Sequence, residues 1–98
     1  MNKIIFSFFF LITFSLGKSL FEKNCFACHQ NGNNIIIPEK SLKKSILKSN
    51  GMDNVDSILY QITNGKNGMP AFGGRIKENE MKEIANYVFS FPFDQKEN

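Results

Sequence analysis

Cys25-Phe26-Ala27-Cys28-His29 is the stretch on which the reading of this 98-residue chain turns. It has the form C-x-x-C-H, the attachment signal for a c-type haem. Two thiols three positions apart lie about one helical turn from each other, so both face the same planar ligand and add to its vinyl groups as thioethers. The adjoining histidine reaches the iron from one side through a neutral imidazole nitrogen. Bare C-x-x-C also occurs in thioredoxin-like redox pairs and as half of a zinc site. Here the chain holds two cysteines and one histidine, short of the four ligands a structural zinc site wants. No strand pattern surrounds the motif, as a thioredoxin-like setting requires. The expected cofactor is therefore one haem c, covalent on Cys25 and Cys28, with His29 on the iron.

Upstream, Met1-Asn2-Lys3 is a short positive segment, and the run from Ile4 to Leu16 is apolar apart from Ser7, Thr13 and Ser15. The run has the length of a signal-peptide core and is too short to span a bilayer comfortably. Small-x-small patterns predict removal after Ser15 or Gly17, giving a signal peptide over residues 1–17 and a single domain over residues 18–98; an uncleaved N-terminal anchor is the alternative. Export agrees with the motif, because haem c is attached on the far side of an energy-transducing membrane, in periplasm or thylakoid lumen. No stable membrane insertion is expected once the signal has gone. A chain this short makes one domain with a marginal apolar core, and a covalent haem gives that core a large body to pack on. Lys and Arg number 12 against 9 Asp and Glu. Loss of Lys3 with the leader leaves 11 against 9, and two haem propionates bring the balance close to neutral. Docking then depends on local patches. No basic stripe interleaved with aromatics marks a nucleic-acid partner.

Downstream of the leader the pattern is all-α. Residues 16–28 read as a first helix, in which Gly17 serves either close approach of another helix or merely a frayed start. Residues 30–39 read as loop, with Asn31-Gly32-Asn33-Asn34 forming turns and Ile35-Ile36-Ile37 packing over the haem edge. Backbone carbonyls of the isoleucine segment are candidates to accept the second ring proton of His29. Residues 41–50 predict a second helix stopped by Gly51, with Lys40, Lys44 and Lys48 spaced by four beside Lys43: a solvated face, or a basic steering patch. Asp53 or Asn54 caps a third helix that runs to Asn64 with Val55, Ile58, Leu59 and Ile62 as its stripe. A glycine-bearing loop over residues 64–75 precedes a fourth helix over residues 77–91, ended by Pro92. Residues 94–98 read as a frayed polar tail.

Iron with one histidine has a sixth position to fill. A thioether there makes a closed electron carrier with a raised potential, whereas an open site binds oxygen or peroxide. Met81 falls on the inner stripe of the last helix and reads as core. Met52 and Met69 lie in loops. Met69 is the better candidate, because Pro70 stiffens its backbone and Gly68 removes a side chain that would meet the haem plane; Met52 reads as packing beneath the haem.

From Gly17 to Phe91 the chain resembles class I cytochromes c, and within them the cytochrome c6 family. The carriers are Asn24-Cys25-Phe26-Ala27-Cys28-His29, Gly32-Asn33-Asn34, Lys40-Ser41-Leu42-Lys43-Lys44, Tyr60-Gln61-Ile62 with Asn64-Gly65-Lys66-Asn67, Met69-Pro70-Ala71-Phe72-Gly73-Gly74-Arg75, and Ala85-Asn86-Tyr87-Val88. The resemblance implies the class I cytochrome c fold, four short helices and long loops wrapped around one covalent haem. It implies covalent attachment at Cys25 and Cys28 and axial ligands His29 and Met69. Gln61 is then the glutamine close to the haem, Arg75 the arginine near the docking surface, and Phe21 with Tyr87 the crossing contact of the terminal helices. The implied function is that of a non-enzymatic, monomeric carrier shuttling one electron from cytochrome f of the cytochrome b6f complex to photosystem I, through transient contacts. The implied place is the thylakoid lumen of a chloroplast, and the Asn-, Lys-, Ile- and Phe-rich composition points to a plastid gene rather than a cyanobacterial one. The chain's ending, Phe91-Pro92-Phe93-Asp94, departs from the family's common one. The competing readings are a periplasmic cytochrome c feeding a terminal oxidase and a haem enzyme or sensor with Met69 off the iron.

Overall fold

The computed structural model describes residues 16–91 and Phe93. The first fifteen residues of the expected leader and the polar tail over residues 94–98 lie outside that range. Residues 16–24 form helix α1. It breaks at Cys25, whose φ of −119° departs from the helical value, and α2 resumes over Phe26–His29. The helix expected over residues 16–28 is therefore interrupted at the first cysteine. Hydrogen bonding carries across the break: the Cys25 N–H donates to the Phe21 carbonyl at 2.8 Å, and the His29 N–H to the Cys25 carbonyl at 2.9 Å.

The stretch expected as plain loop contains two 3-10 turns, Gln30–Gly32 and Pro38–Lys40. Between them the Asn34 side-chain oxygen accepts the N–H groups of Ile36 and Ile37, at 2.9 and 2.8 Å, and folds the isoleucine run back on itself. Helix α3, Lys44–Ser49, starts later than the expected Ser41. Ser41 and Lys43 are extended, and the Leu42 N–H donates to the Gly32 carbonyl at 2.6 Å, which ties this segment to the turn after His29. Lys40 consequently lies outside the helix, and the four lysines do not form one helical face.

Helix α4 covers Val55–Asn64. Its cap is Asn54, whose side-chain oxygen accepts the Ser57 N–H at 2.8 Å, and it ends at Gly65 in the left-handed region, φ +69°. Helix α5, Glu78–Ser90, opens with Glu78 and Glu80 in its first turn, where the helix dipole favours anions. Phe91 is extended, as a residue before proline prefers.

Packing of α1, α3, α4 and α5 buries Phe21, Leu47, Ile58, Ile62, Met81, Ile84, Ala85, Tyr87 and Val88 around Phe72 and Phe93. Helix α4 packs against α5. Helix α1 meets α5 at Gly17, where a Cβ would stand 2.6 Å from the Glu83 carbonyl oxygen and 3.0 Å from the Tyr87 Cβ. Close approach, not a frayed start, is thus what this glycine serves. One helical turn on, the Phe21 and Tyr87 rings pair with centroids 5.4 Å apart. Two isolated bridges, Lys66 with Met69 and Gly73 with Ile76, are the β pairings among the described residues. No described helix is long and apolar enough to cross a membrane.

Candidate functional site

The helices and the two long loops enclose an apolar cavity of about 220 Å³. Cys25, Cys28 and His29 border it from α1 and α2, Gln61 from α4, and Met52, Met69 and Pro70 from the loops. Phe72, Ile84 and Val88 complete its apolar wall. All four residues singled out by sequence as haem-binding therefore share one cavity. Met52 also borders it, as the sequence suggested, while Met81 is buried in α5 away from that lining.

Both cysteines are free thiols. Burial, and then the neighbouring Cys28 charge, push the Cys25 thiol up to about 11, so it stays protonated at neutral pH. His29 is buried, and its Nδ1 lies 2.9 Å from the Asn33 carbonyl oxygen. A carbonyl only accepts, so Nδ1 carries the hydrogen and Nε2 keeps its lone pair for a metal. Burial lowers the His29 pKa, against a smaller opposing effect of the Asn33 hydrogen bond, and favours the neutral ring that ligation needs. The accepting carbonyl lies two residues ahead of the isoleucine segment put forward from sequence.

Met69 ends a tight turn. Lys66 and Met69 exchange both backbone hydrogen bonds, at 3.0 and 2.9 Å, with Asn67-Gly68 at the tip and Asn67 at φ +54°. The sequence assigned Gly68 to clearing the haem plane; among protein atoms it clears Ile36, whose Cγ2 would stand 3.0 Å from a Cβ there. The Gln61 amide Nε2 lies 3.8 Å from the Met69 sulfur. Downstream, the N–H groups of Phe72 and Gly73 donate to the Ile62 and Thr63 carbonyls at 3.0 Å each, strapping the methionine loop to the end of α4.

Around the cavity mouth, Ile36 is 54% exposed and Pro70 is exposed beside it in the lining. Arg75 is exposed; its guanidinium carbon sits 5.1 Å from the Phe72 ring centroid, and Nη1 donates to the Ala71 carbonyl at 3.3 Å. Lys44 rests over the Phe89 ring at 4.6 Å and donates to the Phe89 carbonyl, so it is engaged on α5.

An all-helical chain that brings two free thiols, an imidazole and a thioether to one apolar cavity has the build of a class I c-type cytochrome. A protein-family model described as cytochrome C oxidase, cbb3-type, subunit III matches residues 13–88. Cytochrome c6 of Petalonia fascia is 58% identical over 74 residues, which cover 76% of this chain and 87% of that protein. Cytochrome c6 of Bumilleriopsis filiformis is 57% identical over 74 residues, covering 76% and 86%. The crystal structure of cytochrome c6 from the diatom Phaeodactylum tricornutum superposes with a TM-score of 0.76 at 44% identity, covering 79% of this chain and 91% of that one. The chain belongs to the cytochrome c6 family, whose members are electron carriers with one covalently bound haem c.

The residues present fit that group. Two free thiols for two thioether links, one imidazole with Nε2 unprotonated, one neutral thioether and an apolar wall are the donor set a low-spin c-type haem requires.

Proposed function

We propose that this chain carries single electrons from cytochrome f of the cytochrome b6f complex to photosystem I in a thylakoid lumen, with Cys25 and Cys28 holding the haem and His29 and Met69 as its axial ligands. The observation that carries the reading is the convergence of those four residues on one cavity, together with Gln61. When bound, the haem supplies a one-electron iron couple. His29, oriented by the Asn33 carbonyl, and Met69, held by the Lys66 turn, would be the chain's two ligands to the iron and would leave no site on it for oxygen or peroxide. Ile58, Ile62, Ile84 and Val88 keep water out and favour the less charged ferrous form. The Gln61 amide, beside the Met69 sulfur, sets the local dipole. Ile36 and Pro70 offer apolar contact at the mouth, and Arg75, Lys40, Lys43 and Lys48 offer exposed charge for brief orientation of a partner.

Residues 1–15 are read as an export leader removed after Ser15. Cleavage after Gly17 would strip α1 of the glycine seated on the Glu83 carbonyl, which favours the earlier site. N-terminal sequencing of the mature protein should begin at Leu16; a start at Lys18 contradicts this.

The family model's description favours one competing reading, an electron donor to a terminal oxidase. Flash photolysis separates the two. Added reduced protein should re-reduce photosystem I at a rate that rises with its concentration and should accept electrons from cytochrome f. A protein inert toward photosystem I but rapidly oxidised by a terminal oxidase would reverse the assignment.

A further inference from the structure

Phe93 stands beyond the last helix, yet it is only 6% exposed. Its ring centroid is 4.8 Å from that of Phe91, 5.9 Å from Phe21 and 6.2 Å from Tyr87, so it docks on the crossing of α1 and α5. The same ring lies against Gly32: a Cβ built there would be 2.5 Å from the Phe93 Cγ and 2.6 Å from Cδ1. Gly32 is left-handed at φ +81°, directly after Asn31 at φ +56°. Asn tolerates that conformation at a cost and Gly adopts it freely, so this turn relaxes readily unless its neighbours hold it. The Asn33 N–H donates to the Gln30 carbonyl at 3.0 Å, and Leu42 anchors the Gly32 carbonyl. The next carbonyl, Asn33, is the one that accepts from His29 Nδ1.

We propose that Phe93 is a positioning residue for the His29 ring, acting through Gly32 and Asn33. Its side chain forms the floor beneath a left-handed Asn-Gly pair. That floor fixes the Asn33 peptide plane and so the carbonyl that orients the imidazole and raises the basicity of Nε2. The extended Phe91 turns the chain away from the helix, and the Phe93 ring lies under the turn. The proposal deepens the ligand assignment of His29 and rests on it.

The test uses the haem-loaded, reduced protein, in which hydrogen exchange of the His29 ring N–H is followed by nuclear magnetic resonance beside the backbone amide of Ile84, a core residue of α5. Phe93→Ala should speed exchange of the ring N–H at least about tenfold through local opening of the turn, with the Ile84 amide much less affected. Phe93→Leu, which keeps an apolar floor, should return the rate to near that of the unaltered protein. An unchanged ring N–H rate in Phe93→Ala overturns the proposal. Equal acceleration of both protons also overturns it, since Phe93 would then contribute only general stability, and so does failure of Phe93→Leu to restore the rate. Failure of the ligand assignment itself looks different: the His29 ring protons of the unaltered protein would lack the large upfield shift imposed by a macrocycle directly above them.

Discussion

His29 offers Nε2 to a metal only if its one hydrogen sits on Nδ1, and the Asn33 carbonyl 2.9 Å away dictates that tautomer. Met69 is the proposed second ligand, with its sulfur beside the Gln61 amide. Replacing it by alanine should leave the haem attached, lower the reduction potential and let carbon monoxide bind the ferrous iron. Potentiometry and a carbon monoxide difference spectrum check both outcomes; an unchanged potential would refute the ligand assignment. Cys25→Ser combined with Cys28→Ser should yield no stable holoprotein, seen as the loss of the haem increment in the intact mass. At this scale much was legible. The pentapeptide carries its own geometry, and the Gly-Met-Pro triplet marks a stiffened loop. What escaped was the role of neighbours distant in sequence. Gly68 is small on account of Ile36, and Phe93 reaches Gly32; no local spacing announces either contact.

Helices α1 and α5 meet through Gly17, and that contact makes the arrangement sensitive to a single carbon. Gly17→Val should destabilise the protein by about 1–3 kcal/mol or more, because the added side chain must displace backbone at Glu83. Denaturant unfolding of the holoprotein measures this, and a change near zero would deny the close crossing. Tyr87, on the same crossing, has its pKa raised above 10.0 by burial first and by Glu22 second. The sign follows from linkage. The folded state keeps the phenol proton when the unfolded state has lost it, so this contribution is intact below the unfolded value and fades as pH rises through the folded one. Stability should therefore fall above about pH 10, and Tyr87→Phe should remove that part of the fall in an unfolding series against pH. Helices α4 and α5 were legible to within a residue because each has a full apolar stripe, and α4 also has a strong cap at Asn54. Helix α3 was overestimated because Leu42 continues its periodicity but spends its N–H on Gly32. The break at Cys25 lies inside an unbroken helical pattern, which periodicity alone does not reveal.

At the scale of the whole molecule, a small helical shell surrounds the cavity, with exposed Ile36, Pro70, Lys40 and Lys66 in its lining and further exposed cations, Lys43, Lys48 and Arg75, outside it. Such a surface suits fast, weak encounters, in which charge steers and a small apolar contact transmits. Arg75→Glu should slow re-reduction of photosystem I while leaving the potential near its original value. A rate left untouched would mean that its packing on Phe72 is structural only. The central proposal is that His29 and Met69 of this chain hold the iron from both sides. The most direct measurement is the red end of the absorption spectrum of the oxidised holoprotein, where an iron(III)–thioether bond gives a weak charge-transfer band. The band should be present in the unaltered protein, survive Met52→Leu and vanish in Met69→Ala. Its absence from the unaltered protein, or its persistence without Met69, would contradict the account.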